Sequence, residues 1–87
     1  MRQMQKIETD GNGTILNIIE HIILRNYWEY YIIEKHQDSK DSEIETALVM
    51  GFETEIGDVY MPEIKPYVIS RTNNLEGVLP PEGWVWL

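Results

Sequence analysis

Thr14-Ile15-Leu16-Asn17-Ile18-Ile19-Glu20-His21-Ile22-Ile23-Leu24 is the stretch whose reading decides the fold. Isoleucines at 15, 18, 19, 22 and 23 recur at the i, i+3, i+4, i+7, i+8 spacing, which is one wide apolar stripe of a helix. Leu16 and Leu24 widen the stripe on its flanks. Thr14 follows the turn residues Asp10-Gly11-Asn12-Gly13 and suits an N-cap, and Arg25 suits the negative pole of a helix dipole. Isoleucine carries little intrinsic helicity, because its branched side chain loses χ1 freedom against the preceding turn. Burial of the stripe must therefore hold such a helix. The expected class is α+β: an N-terminal amphipathic helix packed on a small, mostly antiparallel sheet of three or four strands.

Downstream, Tyr27 to Glu34 is aromatic and β-branched and reads as a strand. Trp28, Tyr30 and Ile32 take one face, and Tyr27, Tyr31 and Ile33 the other. Lys35 to Ser42 is a polar loop. Glu45 to Thr54 is a second strand, in which Gly51 suggests a bulge or a close backbone approach. Ile56-Gly57-Asp58 reads as a tight turn into a short strand over Val59 to Met61. Pro62 suits the first position of a helix, which Pro66 limits to about one turn or restarts. Tyr67, Val68 and Ile69 are apolar enough to be buried, and Trp84 to Leu87 reads as a strand. Residues 1–9 are expected to be a frayed tail or a short edge strand.

The chain has 87 residues, so residues 1–87 are expected to form one domain. A domain this small buries only about 60–65% of the surface its unfolded chain exposes. No cysteine is present, which removes zinc fingers, thiol nucleophiles and disulfide staples, and fits a reducing cytoplasm. Fifteen acidic residues against seven basic ones give a formal charge of −8. The basic residues are scattered, so no nucleic-acid footprint is expected. No apolar run reaches membrane-spanning length, and the first residues carry no apolar leader. The expected setting is cytoplasmic, without direct nucleic-acid or membrane contact.

Trp28, Tyr30, Tyr31 and Glu34, then Leu48-Val49-Met50-Gly51-Phe52-Glu53-Thr54-Glu55-Ile56-Gly57, then Tyr60, Glu63 and Ile64 form a pattern. It resembles a family of small proteins of unknown function found in plasmid and phage genomes. Those proteins carry a Trp-Tyr strand ending in Glu, a Leu-Val-x-Gly-Phe-Glu-x-Glu-Leu-Gly-Tyr strand and an aromatic-x-Leu-x-Glu-Leu segment opening a helix. Asp58 stands where the pattern has Tyr, and Pro62 interrupts the last segment. The likeness spans under half of the chain. It implies an α+β fold and a mobile-element origin, and no activity.

Glu53 and Glu55 share a strand face, with Asp58 across the turn. Such carboxylates could bind a divalent cation or supply a shifted acid, or form the solvated rim of a hairpin. Glu29, between Trp28 and Tyr30, lies with Tyr27 and Tyr31. It is either a polar group in an aromatic pocket or half of a cross-strand ion pair. His21 is flanked by apolar residues and reads as structural. His36 with Asp38 and Asp41 is too thin a set for a metal site, so neither metal nor cofactor is expected. No serine sits in a nucleophile elbow, and no glycine-rich phosphate loop is present.

Trp28, Trp84, Trp86 and the five tyrosines exceed what one face of a thin sheet can hide. Strands apolar on both sides are normally covered twice, which suggests a homodimer or higher homo-oligomer. The expected function is a non-enzymatic accessory or binding module that self-associates. An acidic immunity-type inhibitor docking a basic protein is an alternative, as is a small-molecule-binding oligomer or a small carboxylate-dependent enzyme.

Overall fold

The computed structural model describes residues 1–11, 13–36 and 43–87. Its elements run β1 (Arg2–Lys6), β2 (Ile15–Ile18), β3 (Glu20–Leu24), β4 (Glu29–Lys35), β5 (Ile44–Met50) and β6 (Thr54–Tyr60). Then come α1 (Met61–Ile64), a 3-10 turn over Lys65–Tyr67, β7 (Val68–Thr72) and β8 (Trp84–Trp86). The protein is mostly β, and the α+β expectation fails at its first element. The isoleucine stretch is two strands, not an N-terminal helix. Among the described residues, the only helical segment is the seven-residue unit Met61–Tyr67.

The reason lies in a change of phase. Within β2, Leu16 and Ile18 are buried while Ile15 and Asn17 are exposed, the two-residue period of a strand. A helical stripe would bury Ile15, which is 50% exposed. At Ile19 the chain passes from one sheet to the other and the alternation restarts. Ile22 and Leu24 then point to one side of β3, and His21 and Ile23 to the other. Two short strands joined by one residue thus counterfeit the spacing of a helix. The β-branching of isoleucine, unhelpful in a helix, suits both strands.

One sheet has the order β2-β1-β8 and the other β6-β5-β4-β3-β7, with antiparallel neighbours throughout. Arg2–Lys6 is the central strand of the smaller sheet. Ile19 donates its N–H to Ile32 O at 2.8 Å, which ties the corner to β4. Between the sheets lies a core of Met4, Leu16, Ile18, Tyr31, Leu48 and Leu75, with Trp84 and Trp86 packed on it. On the outer face of the larger sheet, Ile22, Leu24, Tyr30, Ile32 and Ala47 are covered by Met61, Ile64 and Val68. Both apolar faces of β4 and β5 are therefore covered in part from within the chain.

Pro62 sits at the start of α1, and Pro66 falls where the helix tightens into its 3-10 turn. Other local expectations are corrected. Ile56-Gly57-Asp58 is interior to β6, paired with Leu48, Ala47 and Thr46, and the turn lies at Gly51–Glu53. Tyr67 and Ile69 are exposed rather than buried. Most of the polar loop, including Asp38 and Asp41, lies outside the described residues.

The same outer face carries a charge network. Arg71 donates to Glu20 and, with Nη2, to both Glu45 oxygens at 3.0 and 3.1 Å, while Lys35 pairs with Glu20. Burial alone would raise the Glu20 pKa, but Lys35 and Arg71 outweigh it and hold the carboxyl below its ordinary 4.5. A depressed carboxyl contributes stability above its unfolded value and loses it as pH falls through the folded value. Glu20→Gln is therefore expected to be less stable than the native chain at neutral pH. The gap should narrow as pH drops below about 4.5. Urea unfolding across pH checks this, and a gap of constant size would refute it.

Candidate binding cleft

Strand register brings the polar groups of β3, β4 and β7 to one face. His21 lies opposite Tyr31 and Thr72, and Ile23 lies opposite Glu29 and Ser70. Met50 of β5 stands on the far side of Glu29. The small sheet covers only part of this face. Over the rest, the loop Asn74–Glu82 forms a wall, and an open cleft of about 580 Å³ lies between wall and sheet.

The wall is anchored at several points. Leu75 is buried in the inter-sheet core. Trp86 Nε1 donates to Val78 O at 2.7 Å, and the Tyr31 hydroxyl donates to Leu79 O at 2.8 Å. Trp84 N–H donates to Pro81 O at 3.0 Å. Asn74 is held by its own turn, its N–H donating to Thr72 Oγ1 and its Oδ1 accepting from Glu76 N–H.

At the floor, His21 Nε2 lies 2.7 Å from Glu29 Oε1, and the Tyr31 hydroxyl lies 3.4 Å from the same oxygen. The imidazole and phenol rings stack at 4.8 Å with a tilt of 38°. Tyr31 is 1% exposed and His21 5%. Burial, reinforced by the Glu29 carboxylate, pushes the Tyr31 phenol far above its ordinary value, so it stays a donor. A carboxylate at this distance makes His21 Nε2 a donor as well. Glu29 is thus a positioned carboxylate whose Oε1 accepts from His21 Nε2, with the Tyr31 hydroxyl close by but committed to Leu79 O. Glu76 and Glu82 also line the cleft, and among the described residues no Lys or Arg does. Ile23, Met50, Leu79 and Pro80 give it apolar walls.

Of the residues singled out in the sequence, Glu29 and Tyr31 meet here. Trp28, Glu53 and Glu55 are gathered elsewhere, around the β5–β6 turn. Tyr27 joins neither group: it is 79% exposed at the tip of the β3–β4 hairpin, with φ of 68°. Trp84 and Trp86 are packed in the inter-sheet core, and Arg2 lies 4.6 Å over the Trp86 ring. Asp58 accepts a hydrogen bond from Thr46 at 2.7 Å, and His36 Nε2 lies 3.0 Å from Thr46 Oγ1. Among the described residues, no group of three or more His, Asp or Glu could hold a metal ion, and no helix is long and apolar enough to cross a membrane. His21, read as a structural histidine, and the Asn74–Glu82 segment were not expected to form one site. A lone histidine and a loop about 50 residues away carry no local signal of the pairing that joins them.

Comparison with protein families, with curated proteins and with solved structures finds no match.

Proposed function

We propose that the protein is a non-enzymatic binding module whose cleft takes a positively charged side chain of a basic partner. The observation that carries this reading is the cleft lining: three carboxylates, apolar walls and, among the described residues, no lysine or arginine. A guanidinium fits this chemistry best, because its planar fork pairs with a carboxylate while its stem lies along apolar surface. The free oxygen of Glu29 offers such a fork an acceptor. A formal charge of −8 would steer a basic partner toward the protein. The absence of cysteine favours a cytoplasmic setting. The likeness over residues 28–64 favours an accessory role on a mobile element.

A short arginine-containing peptide titrated into ¹⁵N-labelled protein tests the reading. Shifts are expected to concentrate at His21, Glu29, Tyr31 and the 74–82 wall, and to weaken with added salt. Glu29→Gln keeps a hydrogen-bonding partner for His21 and removes the charge. It should weaken binding roughly tenfold, since hydrogen bonds to charged groups contribute about 1.5–3 kcal/mol. Shifts spread over the whole acidic surface, or unchanged binding by the variant, would overturn it.

A further inference from the structure

A second, separate cleft lies where the β5–β6 turn meets the start of β4. It measures about 220 Å³ and is lined by Trp28, Val49, Gly51, Phe52, Glu53 and Glu55. Trp28 lies so close over Gly51 that a Cβ there would sit 2.7 Å from its ring. The indole is therefore held against backbone that only glycine can supply. Phe52 meets it edge to face, with centroids 5.2 Å apart and an angle of 83°. Phe52 is nevertheless 95% exposed, so it contributes almost nothing to a core. Two rings at nearly a right angle, with two carboxylates beside them and Val49 behind, make an acidic, aromatic corner.

We propose that this corner binds a methylated ammonium group. Ring faces attract a diffuse cation through their quadrupole, and the methyl groups gain from contact with apolar surface. Glu53 and Glu55 supply opposite charge without demanding a hydrogen-bond donor from the ligand. A neutral sugar fits less well, because the lining side chains offer carboxylate acceptors and only one donor, the indole N–H. A phosphate-bearing head group would meet repulsion from both carboxylates. The chemistry is shared by a free quaternary amine and by a methylated lysine on a protein. The proposal uses a different cleft from the arginine-binding reading and stands or falls apart from it.

The test uses the full chain, titrated with choline chloride at constant ionic strength set by sodium chloride. The neutral isostere 3,3-dimethylbutanol is titrated in parallel, and both are read from the amides of residues 51–55 and the Phe52 ring. Choline is expected to saturate, with the isostere roughly tenfold weaker, because only the former carries charge for the rings. Phe52→Ala should weaken choline binding about fivefold, and Phe52→Tyr should retain it, since the ring supplies the attraction. Exposure of Phe52 keeps these variants folded, and an unchanged Tm verifies that. A trimethyllysine peptide binding more tightly than choline would place the ligand on a protein, and the reverse would place it in solution. Equal response to choline and its isostere, no saturation, or an unaffected Phe52→Ala would each overturn the proposal.

Discussion

Ile18→Ala is expected to lower the unfolding free energy by about 2–4 kcal/mol, and Ile15→Ala by less than about 1 kcal/mol. Ile18 is fully buried among Met4, Leu16, Tyr31 and Leu48, whereas half of Ile15 faces solvent. Removing Ile18 leaves a void between the two sheets, and the lost contacts have no replacement. A helix carrying the isoleucine stripe would bury both residues, so it would make the two substitutions comparably costly. The pair therefore separates a strand from a helix with one urea titration each. Total stability for a domain of this length is roughly 4–13 kcal/mol, so the Ile18 variant remains measurable near the middle of that range. Equal losses at the two positions would contradict the two-strand arrangement.

Gly13→Ala is the second substitution with a large expected effect. A Cβ at Gly13 would sit 1.8 Å from Lys6 O and 2.7 Å from Lys6 C. Both are backbone atoms of β1, and Lys6 N–H already donates to Thr14 O at 2.9 Å. The clash can be relieved only by spreading the β1–β2 hairpin. Spreading would disturb the pairing that centres the small sheet. A loss of about 2–3 kcal/mol is expected, at the upper end for overpacking. Gly51→Ala makes a useful contrast. There the obstacle is the Trp28 ring, a side chain that can shift by a few tenths of an ångström more readily than backbone can. Its loss should be smaller, and thermal unfolding of the two variants side by side gives the order. A Gly51 variant less stable than the Gly13 variant would mean that the indole is the more rigid neighbour.

What could be read from the sequence was local. The Tyr30/Ile32 and Tyr31/Ile33 alternation does place those pairs in different cores, and the two prolines do bracket the short helix. Both signals act within a few residues, where backbone geometry leaves few options. The isoleucine stretch failed because Ile19 shifts the period, and a period shift over ten residues looks like a slower period. Gly57 and Asp58 look like turn residues, yet β6 has only one neighbour and tolerates them as an edge strand. In the cleft, Glu29 and Tyr31 were found by parity along one strand. His21 was placed on a helix and so lost its strand neighbour. The Tyr31–Leu79 hydrogen bond joins residues 48 positions apart, and nothing local announces it.

The pairing of β1 with β8 also orders events in time. Met4 faces Trp86 and Lys6 faces Trp84, so strands from opposite ends of the sequence lie side by side. Closing a loop of about 80 residues costs roughly 4 kcal/mol of chain entropy. The hairpins of the larger sheet close far shorter loops, on the microsecond scale. The β3–β4, β4–β5 and β5–β6 hairpins are therefore expected to form before β8 pairs with β1, while β7 must also wait for a distant partner in β3. Trp86 docks with β8 and holds Val78, so the wall of the cleft is fastened only once β8 has paired. A chain without Trp84–Trp86 would keep the Glu29 carboxylate on β4 and lose the fastening of the wall beside it. The proposed arginine-binding cleft would thus exist only while β8 is paired with β1.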